Sequence, residues 1–263
     1  MLGRKQKMSN EAWINAMQTI EQTVSEQEIR DKSYETADRI AAMTTGKRTA
    51  VSYSAGKDSI VLSDICRQAG ITENVMVVTN LEYPAFMAWV NDHMPEGCEI
   101  VNTGQDLEWL KKHPNMLFPQ SSREASQWFH IVQHRGQAMY YKQHSLDMII
   151  LGRRKADGNY VGKGTDIYTN GQGVTRYSPL ADWRHEDILA YIHYNQLPLP
   201  PIYEWHNGFL CGTHPWPARQ WTGSIESGWK EVYDIDPDIV REAAQYLESA
   251  GSILLSETER EVG

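Results

Sequence analysis

The sequence has few cysteines and no long apolar segment. Its three cysteines, Cys66, Cys98 and Cys211, are too scattered for a disulfide framework or a paired metal or redox motif. A bilayer-spanning helix needs about 18 or more apolar residues, and no run in the 263 residues approaches that length. The basic start of the chain is followed by polar residues, so no export signal is expected. We therefore expect a cytoplasmic protein without a membrane-embedded segment and without an iron–sulfur cluster.

The sequence also lacks an excess of positive charge. Its formal net charge of −9 argues against nonspecific nucleic-acid binding. Residues 123–176 differ from the rest, because they contain eight Lys or Arg side chains and only four Asp or Glu. An anionic substrate is expected where this positive charge is concentrated.

Strands alternate with helical segments through most of the chain. Apolar periodicity predicts two helices within residues 10–43, and from residue 49 onward short apolar runs alternate with helical ones. This order indicates an α/β fold with a doubly wound, mostly parallel sheet. The main predicted elements are strands Thr49–Tyr53, Val75–Thr79, Glu99–Val101 and Met148–Gly152, and helices Asp58–Ala69, Ala85–His93, Arg123–His144 and Trp183–Ile192.

Two segments outside this pattern also carry expectations. Residues 155–177 are rich in Gly, Asn, Thr and Tyr, and they are predicted to form a functional loop or lid. The C-terminal part has four tryptophans, Trp205, Trp216, Trp221 and Trp229, and is predicted to be irregular apart from one helix over 238–250. The expected organisation is an N-terminal helical segment at 1–46, a nucleotide-binding catalytic domain at 47–203 and an aromatic-rich extension at 204–263.

The segment from Thr49 to Leu62 indicates nucleotide chemistry. A buried strand leads into Ser54, Ala55 and Gly56, and a helix then begins near Asp58. Small residues let backbone N–H groups close around phosphate oxygens, and the helix N-terminus adds its positive dipole end. A Walker A loop is disfavoured, because Val51 stands at its first glycine position and Asp58 follows Lys57 where Ser or Thr is required.

The run Ser54-Ala55-Gly56-Lys57-Asp58-Ser59 resembles the Ser-Gly-Gly-Lys-Asp-Ser pyrophosphate loop of the PP-loop ATP pyrophosphatases, with Ala55 in place of the first Gly. The resemblance implies a Rossmann-like fold of the adenine nucleotide alpha hydrolase-like type. It also implies ATP as the bound nucleotide, with Mg²⁺.

The resemblance extends over roughly residues 49–212 and is greatest to the branch that contains phosphoadenosine-phosphosulfate reductases and FAD synthetases. Thr79 with Tyr83-Pro84 is similar to the branch's Asp-Thr-x-x-x-Phe-Pro-Glu element, although Val78 and Ala85 replace both acids. Gly152-Arg153-Arg154 with Asp157 is similar to its Gly-x-Arg-x-x-Glu/Asp element. The matches in the later part of the chain are Pro179-Leu180-Ala181-Asp182-Trp183, Leu197-Pro198 and Ile202-Tyr203.

These matches give a set of candidate site residues. Lys57, Arg153 and Arg154 are expected to be catalytic, because their charges can balance those of the phosphates. Asp58 and Asp157 are the candidate Mg²⁺ ligands; Asp157 has the alternatives of holding an arginine or of forming a turn beside Gly158. The expected nucleotide-binding residues are Ser52, Tyr53, Ser54, Ala55, Gly56, Lys57, Asp58, Ser59, Thr79, Gly152 and Arg154.

The resemblance implies cleavage of ATP between its α and β phosphates. Pyrophosphate would leave, and an unidentified small-molecule or macromolecular acceptor would be adenylylated. One alternative is a sulfonucleotide reductase, which needs a thiol nucleophile, although the reductases' Glu-Cys-Gly-Leu-His element does not occur in this sequence. A second is FMN adenylylation, as in FAD synthetase. A third is a nucleotide-binding subunit that serves a partner without turnover.

Two further expectations concern metals and partners. His206, Cys211 and His214 have a spacing that is compatible with a zinc ion, but three ligands without a Cys-x-x-Cys pair are a weak signal. A protein partner or a homo-oligomer is compatible with the N-terminal helices and the tryptophan-rich tail. No membrane partner is expected.

Overall fold

A computed structural model describes residues 8–219 and 222–262, with side chains described as far as residue 255. The chain forms two compact units whose sequences are interleaved. The first unit consists of the described parts of Met1–Met76, Val90–Val101 and Gln137–Gly212, and the second of those of Val77–Trp89, Asn102–Gly136 and Thr213–Gly263. Trp221, which was assigned to the aromatic extension, lies outside the described residues.

The helices and strands follow the alternation that the sequence predicts. Most of their boundaries lie within one or two residues of the predicted ones. In chain order the elements are α1 (Asn10–Gln18), α2 (Glu26–Thr44), β1 (Thr49–Tyr53), α3 (Lys57–Gln68), β2 (Asn74–Val78), α4 (Pro84–His93), β3 (Glu99–Asn102), α5 (Leu107–Lys112), α6 (Ser122–Trp128), α7 (Arg135–His144), β4 (Met148–Ile150), β5 (Ile167–Thr169), β6 (Thr175–Tyr177), α8 (His185–Tyr194), α9 (Gly208–Cys211), α10 (Ile225–Ile235), α11 (Pro237–Ala243) and α12 (Glu248–Val262).

The sheet has six strands in the order β3-β2-β1-β4-β6-β5. Strand β1 pairs in parallel with β2 and β4, and β4 pairs in parallel with β6. All three residues of β4 are buried, as expected for an apolar strand covered on both faces. Helices α2, α3 and α8 supply much of the apolar core of this unit. The predicted doubly wound, mostly parallel α/β fold is confirmed.

The segment at 155–177 is more regular than the sequence suggests. It contains the hairpin β5–β6, in which Ile167, Tyr168 and Thr169 pair antiparallel with Tyr177, Arg176 and Thr175. Asn170 caps the connecting turn, since its side-chain oxygen accepts the N–H groups of Gln172 and Val174. The three-residue strands are too short to show a clear alternation of apolar and polar residues, which is why the sequence indicates only a loop.

The second unit contains the C-terminal helices. Residues 213–219 form turns and one short helical turn at Trp216–Ala218, and three helices, α10 to α12, follow residue 224 where one was predicted. Trp216 and Trp229 are buried, and Phe118 packs edge-on against Trp229 with ring centroids 5.2 Å apart. These tryptophans are therefore core residues of this unit. In residues 8–219 and 222–262, no helix combines the length and the apolar character needed to cross a membrane.

Candidate nucleotide site

The sheet order reverses between β1 and β4, within the first unit. The chain runs from β1 to β2 on one side and returns with β4 on the other side of β1. Ligands of open parallel sheets bind outside the carboxyl ends of the strands at such a point. The segment Ser54–Ser59 follows β1, and Gly152–Arg154 follows β4. The fold therefore brings two of the predicted site segments to this point.

Two serines fix the conformation of the loop after β1. The Ser59 hydroxyl accepts the Ser54 N–H at 3.1 Å and donates to the Gly56 carbonyl at 2.9 Å, and the Ser54 hydroxyl lies 3.2 Å from that of Ser59. Ser59 is buried, so its hydroxyl holds the bend from inside. The loop is therefore preorganised by its own side chains.

The start of α3 leaves backbone donors for an anion. Gly56 is the N-cap and supplies no side-chain acceptor. Within the described part of the chain, the N–H groups of Ala55 and Asp58 have no protein acceptor. Unpaired N–H groups at the N-terminus of a 12-residue helix form an anion-binding site. This arrangement fits a phosphate group.

Ala55 adopts a backbone conformation that favours glycine. Its φ is 52°, in the left-handed region, and the residue is fully buried. The related loops have Gly at this position, and the bend is kept here in spite of the Cβ atom.

Lys57 is held by three groups of the protein. Its ammonium lies 2.7 Å from Asp58 Oδ2 and 4.7 Å from the centre of the Trp13 ring, and its backbone N–H donates to the Tyr203 hydroxyl at 2.8 Å. Trp13 is itself stacked on Phe209, with ring centroids 5.6 Å apart. The N-terminal helix thus contributes to the loop's surroundings, which the sequence did not indicate.

Arg154 is at the centre of an ion-pair cluster. It is fully buried, its Nε lies 2.8 Å from Asp58 Oδ1, and its Nη2 donates to Asp157 Oδ1 at 3.0 Å. The same Nη2 lies 3.3 Å from His185 Nδ1. Asp157 therefore holds an arginine, which was one of the alternatives for it. Arg154 fixes the loop to the end of β4 and has no exposed surface for a ligand.

The cluster shifts the pKa values of its members. Burial alone would raise the pKa of Asp58, but Lys57 and Arg154 outweigh burial and hold it below its ordinary value. Burial and the charge of Asp58 raise the pKa of Asp157. Burial and Arg154 lower the pKa of His185. Asp58 is therefore an anion at neutral pH, and it neutralises part of the positive charge beside the loop.

Gly152 and Arg153 approach the site differently. A Cβ atom added to Gly152 would lie 3.3 Å from the Asp58 backbone, so glycine permits the close contact between β4 and the loop. Arg153 is partly exposed, and its Nη1 donates to the Tyr168 hydroxyl at 3.2 Å. Of the two predicted arginines, Arg153 is the one with accessible surface.

The remaining predicted residues have other surroundings. Ser52 accepts a hydrogen bond from the Gln137 side chain at 3.0 Å, and Tyr53 is buried in β1. Thr79 belongs to the second unit, where its N–H and hydroxyl donate to Glu82 Oε1 at 2.9 and 3.1 Å. Nucleotide contacts by these three residues remain predictions.

Sequence reasoning missed Trp13, Tyr203 and His185 as neighbours of the loop. The hydroxyl of Tyr203 accepts the backbone N–H of Lys57, and burial raises the pKa of Tyr203. The match of Ile202-Tyr203 to a family element was the signal for Tyr203. Trp13 lies in the first of the predicted N-terminal helices, and His185 follows the matching Asp182-Trp183 pair; neither position gave a site prediction.

The residues around the loop do not fit a metal site made by the protein alone. No group of three His, Cys, Asp or Glu side chains that could hold a metal occurs in the described residues, and this result covers the His206, Cys211 and His214 set. Asp58 and Asp157 are both engaged by Arg154. The predicted Mg²⁺ role of these two carboxylates is untested, and no chemical step is assigned to the ion.

The fold is an α/β fold with a turn at the switch point of its parallel sheet, and the geometry of that turn fits a phosphate group. The model of the phosphoadenosine phosphosulfate reductase domain family matches residues 48–225, which is more than half of the chain. The chain belongs to this family, which is part of the PP-loop superfamily.

One curated relative is a phosphoadenosine phosphosulfate reductase of Emericella nidulans. The two sequences are 23% identical over 126 residues. That stretch is 48% of this chain and 39% of the relative, so the similarity spans less than half of the relative's length.

Two solved structures have similar folds. A phosphoadenylyl-sulfate reductase from Candida auris, in complex with phosphate, gives a TM-score of 0.49 at 18% identity over 76% of this chain and 93% of that one. Yeast FAD synthetase in complex with FAD gives 0.43 at 14% identity over 74% of this chain and 70% of that one. These similarities are too low to bear on function.

Proposed function

We propose that this protein binds ATP at the Ser54–Ser59 loop, cleaves it between the α and β phosphates and transfers the adenylyl group to an acceptor. The unpaired N–H groups at the start of α3, beside Lys57, are the observation that carries the proposal. The match of the loop to the pyrophosphate loops of the superfamily supports cleavage at the α phosphorus rather than at the γ phosphorus.

The residues of the first unit have different tasks in this reaction. The loop holds the outer phosphates through its backbone N–H groups, and Lys57 leaves Asp58 and Trp13 to reach them. Stabilising the charge that develops on pyrophosphate makes it a better leaving group. Arg154 is fixed by Asp58 and Asp157 and positions the loop. Arg153 binds a negatively charged group of the second substrate. An acceptor that is already an oxyanion needs no general base.

Pyrophosphate release from ATP tests this proposal. Wild type is compared with Lys57→Ala and with Lys47→Ala, which removes an exposed lysine just before β1. We expect pyrophosphate from wild type and Lys47→Ala in the presence of acceptor-containing extract. Lys57→Ala should be slower by about a hundredfold or more, as for the loss of a charged transition-state contact. Equal rates for all three proteins would contradict the mechanism.

Sulfonucleotide reduction is the second candidate, and the family match favours it. The reaction needs a reactive thiolate. Cys66 is fully buried, and burial raises its pKa. Burial also raises the pKa of Cys98 to about 11. Both thiols keep their protons at neutral pH, so Cys211 is the cysteine of this chain on which such activity would depend.

Sulfite formation from a phosphosulfate nucleotide with a thiol reductant tests this second candidate. Activity that is present in wild type and Cys66→Ser but absent in Cys211→Ser would establish it. No sulfite from wild type, with pyrophosphate released from ATP, would favour adenylyl transfer.

A further inference from the structure

Arg153 and Arg176 both lie near one tyrosine, Tyr168. Arg153 Nη1 donates to the Tyr168 hydroxyl at 3.2 Å, and the Arg176 guanidinium carbon lies 6.0 Å from the centre of the same ring. Arg153 follows β4, Arg176 is in β6, and Tyr168 is in β5, so the first unit places both cations beside the edge hairpin.

Arg176 is buried with polar but uncharged partners. It is 6% exposed, its Nη2 donates to Gln137 Oε1 at 2.9 Å, and its Nη1 donates to the Tyr141 hydroxyl at 3.3 Å. Its Nε has no hydrogen-bond partner among the described residues. This guanidinium therefore keeps unused hydrogen-bonding capacity inside the protein.

Neither arginine has a carboxylate partner among the described residues. In the part of the chain that the structure describes, Arg153 donates to the Tyr160 carbonyl and the Tyr168 hydroxyl, and Arg176 donates to an amide and a phenol. Burial lowers the pKa of Arg153, and so does the charge of Arg176. Arg154, by contrast, has two carboxylate partners, Asp58 and Asp157.

An uncompensated pair of cations, one buried and one partly buried, costs free energy, and a bound anion would offset that cost. Guanidinium groups match the oxygens of phosphate and sulfate in a bidentate way. Two positive charges without an acid are neutralised by a dianion. A single carboxylate would neutralise only one of them.

We propose that Arg153 and Arg176 form a binding site for a dianionic phosphate monoester group of the second substrate. Arg153, which is partly exposed, contacts the group directly, and Arg176 donates from the buried side. The exposed ring of Tyr160, with its centroid 5.1 Å from that of Tyr168, offers an apolar surface for the rest of the molecule. The identification of this group with the acceptor rests on the proposed adenylyl transfer.

Calorimetric titration with inorganic sulfate tests the site. The titration is made with ATP and Mg²⁺ at saturation, so that the loop is filled, and is repeated without nucleotide in the Lys57→Ala variant. Arg153→Gln and Arg176→Gln should each weaken sulfate binding at least about tenfold. Lys163→Gln, which removes an exposed cation from the same segment, should change it within about twofold. Acetate should bind at least about tenfold more weakly than sulfate.

The outcomes separate this site from the ATP chemistry. Arg153-dependent sulfate binding in the Lys57→Ala variant, with no pyrophosphate formed by wild type, would support the anion site and refute the ATP chemistry. Sulfate binding that is absent from wild type, or unchanged in Arg153→Gln, would overturn the site. Thermal unfolding checks that Arg176→Gln is folded, and if it is not, the binding measured for Arg153→Gln decides the outcome.

Discussion

At the scale of single residues, the loop contains a conformation that its sequence does not favour. Ala55 is left-handed, a state that costs roughly 1–2 kcal/mol for a residue with a Cβ atom. Glycine removes that cost, but its greater conformational entropy stabilises the unfolded chain by about 0.4–1 kcal/mol. The balance at this position favours glycine.

We therefore expect Ala55→Gly to raise the free energy of unfolding by up to about 1 kcal/mol. Ala50→Gly is the matched control, since Ala50 is equally buried but lies in β1, where glycine weakens the strand. Urea unfolding measures both variants. Equal losses of stability in the two would show that Ala55 is not strained.

Tyr203 provides a second residue-scale prediction. Its hydroxyl accepts the Lys57 N–H, which is a donor that a phosphate would use. In Tyr203→Phe this N–H has no acceptor when the site is empty, and a bound anion gains it as a donor. Pyrophosphate should therefore bind roughly two- to tenfold more tightly to the variant than to wild type. Tyr194→Phe, which removes a hydroxyl bonded to the Val24 carbonyl, should leave the affinity unchanged. Weaker binding by Tyr203→Phe would mean that the hydroxyl contacts the phosphate itself.

At the scale of secondary-structure elements, Arg154 joins three of them. Its partners are Asp58 at the start of α3, Asp157 in the turn after β4 and His185 at the start of α8. Removing one member of a buried ion pair leaves the other charge uncompensated. The end of β4 and the phosphate loop are therefore held together by charge, in addition to the close approach at Gly152.

Arg154→Met should lower the free energy of unfolding by about 3–5 kcal/mol. Lys155→Met is the control, because the neighbouring Lys155 pairs with Asp182 on the surface and should cost less than about 1 kcal/mol. Chemical denaturation of both variants provides the comparison. Similar small losses would show that Arg154 is not a structural centre.

The turn between β2 and α4 has a pH dependence of its own. Burial raises the pKa of Glu82 from 4.5 to about 7, although Thr79 donates two hydrogen bonds to it. Between these values the folded state binds more protons than the unfolded state, so ionising Glu82 lowers stability as pH rises. Wild type should therefore lose stability relative to Glu82→Gln between pH 4.5 and about 7. Parallel stability curves for the two proteins would contradict the raised pKa.

The sequence predicts elements well where the local pattern is long, and poorly where it is short. Strand β1, helix α3 and strand β4 follow from apolar runs and the loop motif. The hairpin β5–β6 does not, because each strand has three residues and pairing between them is a tertiary event. The contacts of Trp13 and Tyr203 with Lys57 join residues distant in sequence, so no local pattern contains them.

At the scale of the whole molecule, an acidic protein contains a locally basic segment at residues 123–176. The net charge is −9, yet Arg153 and Arg176 of the first unit have no carboxylate partner within the residues described. The family match and the loop define the class of protein, whereas the proposed anion site depends on side chains that only the folded structure brings together. The excess of Lys and Arg over 123–176 was the sequence signal for these arginines.

The position of ATP cleavage tests the central claim most directly. Phosphorus NMR of ATP incubated with the protein and its acceptor identifies the products by their chemical shifts. The account predicts pyrophosphate, with the α phosphorus in the adenylylated acceptor or in AMP. Orthophosphate together with ADP would contradict it, because the bond to the γ phosphorus would then be the one that breaks.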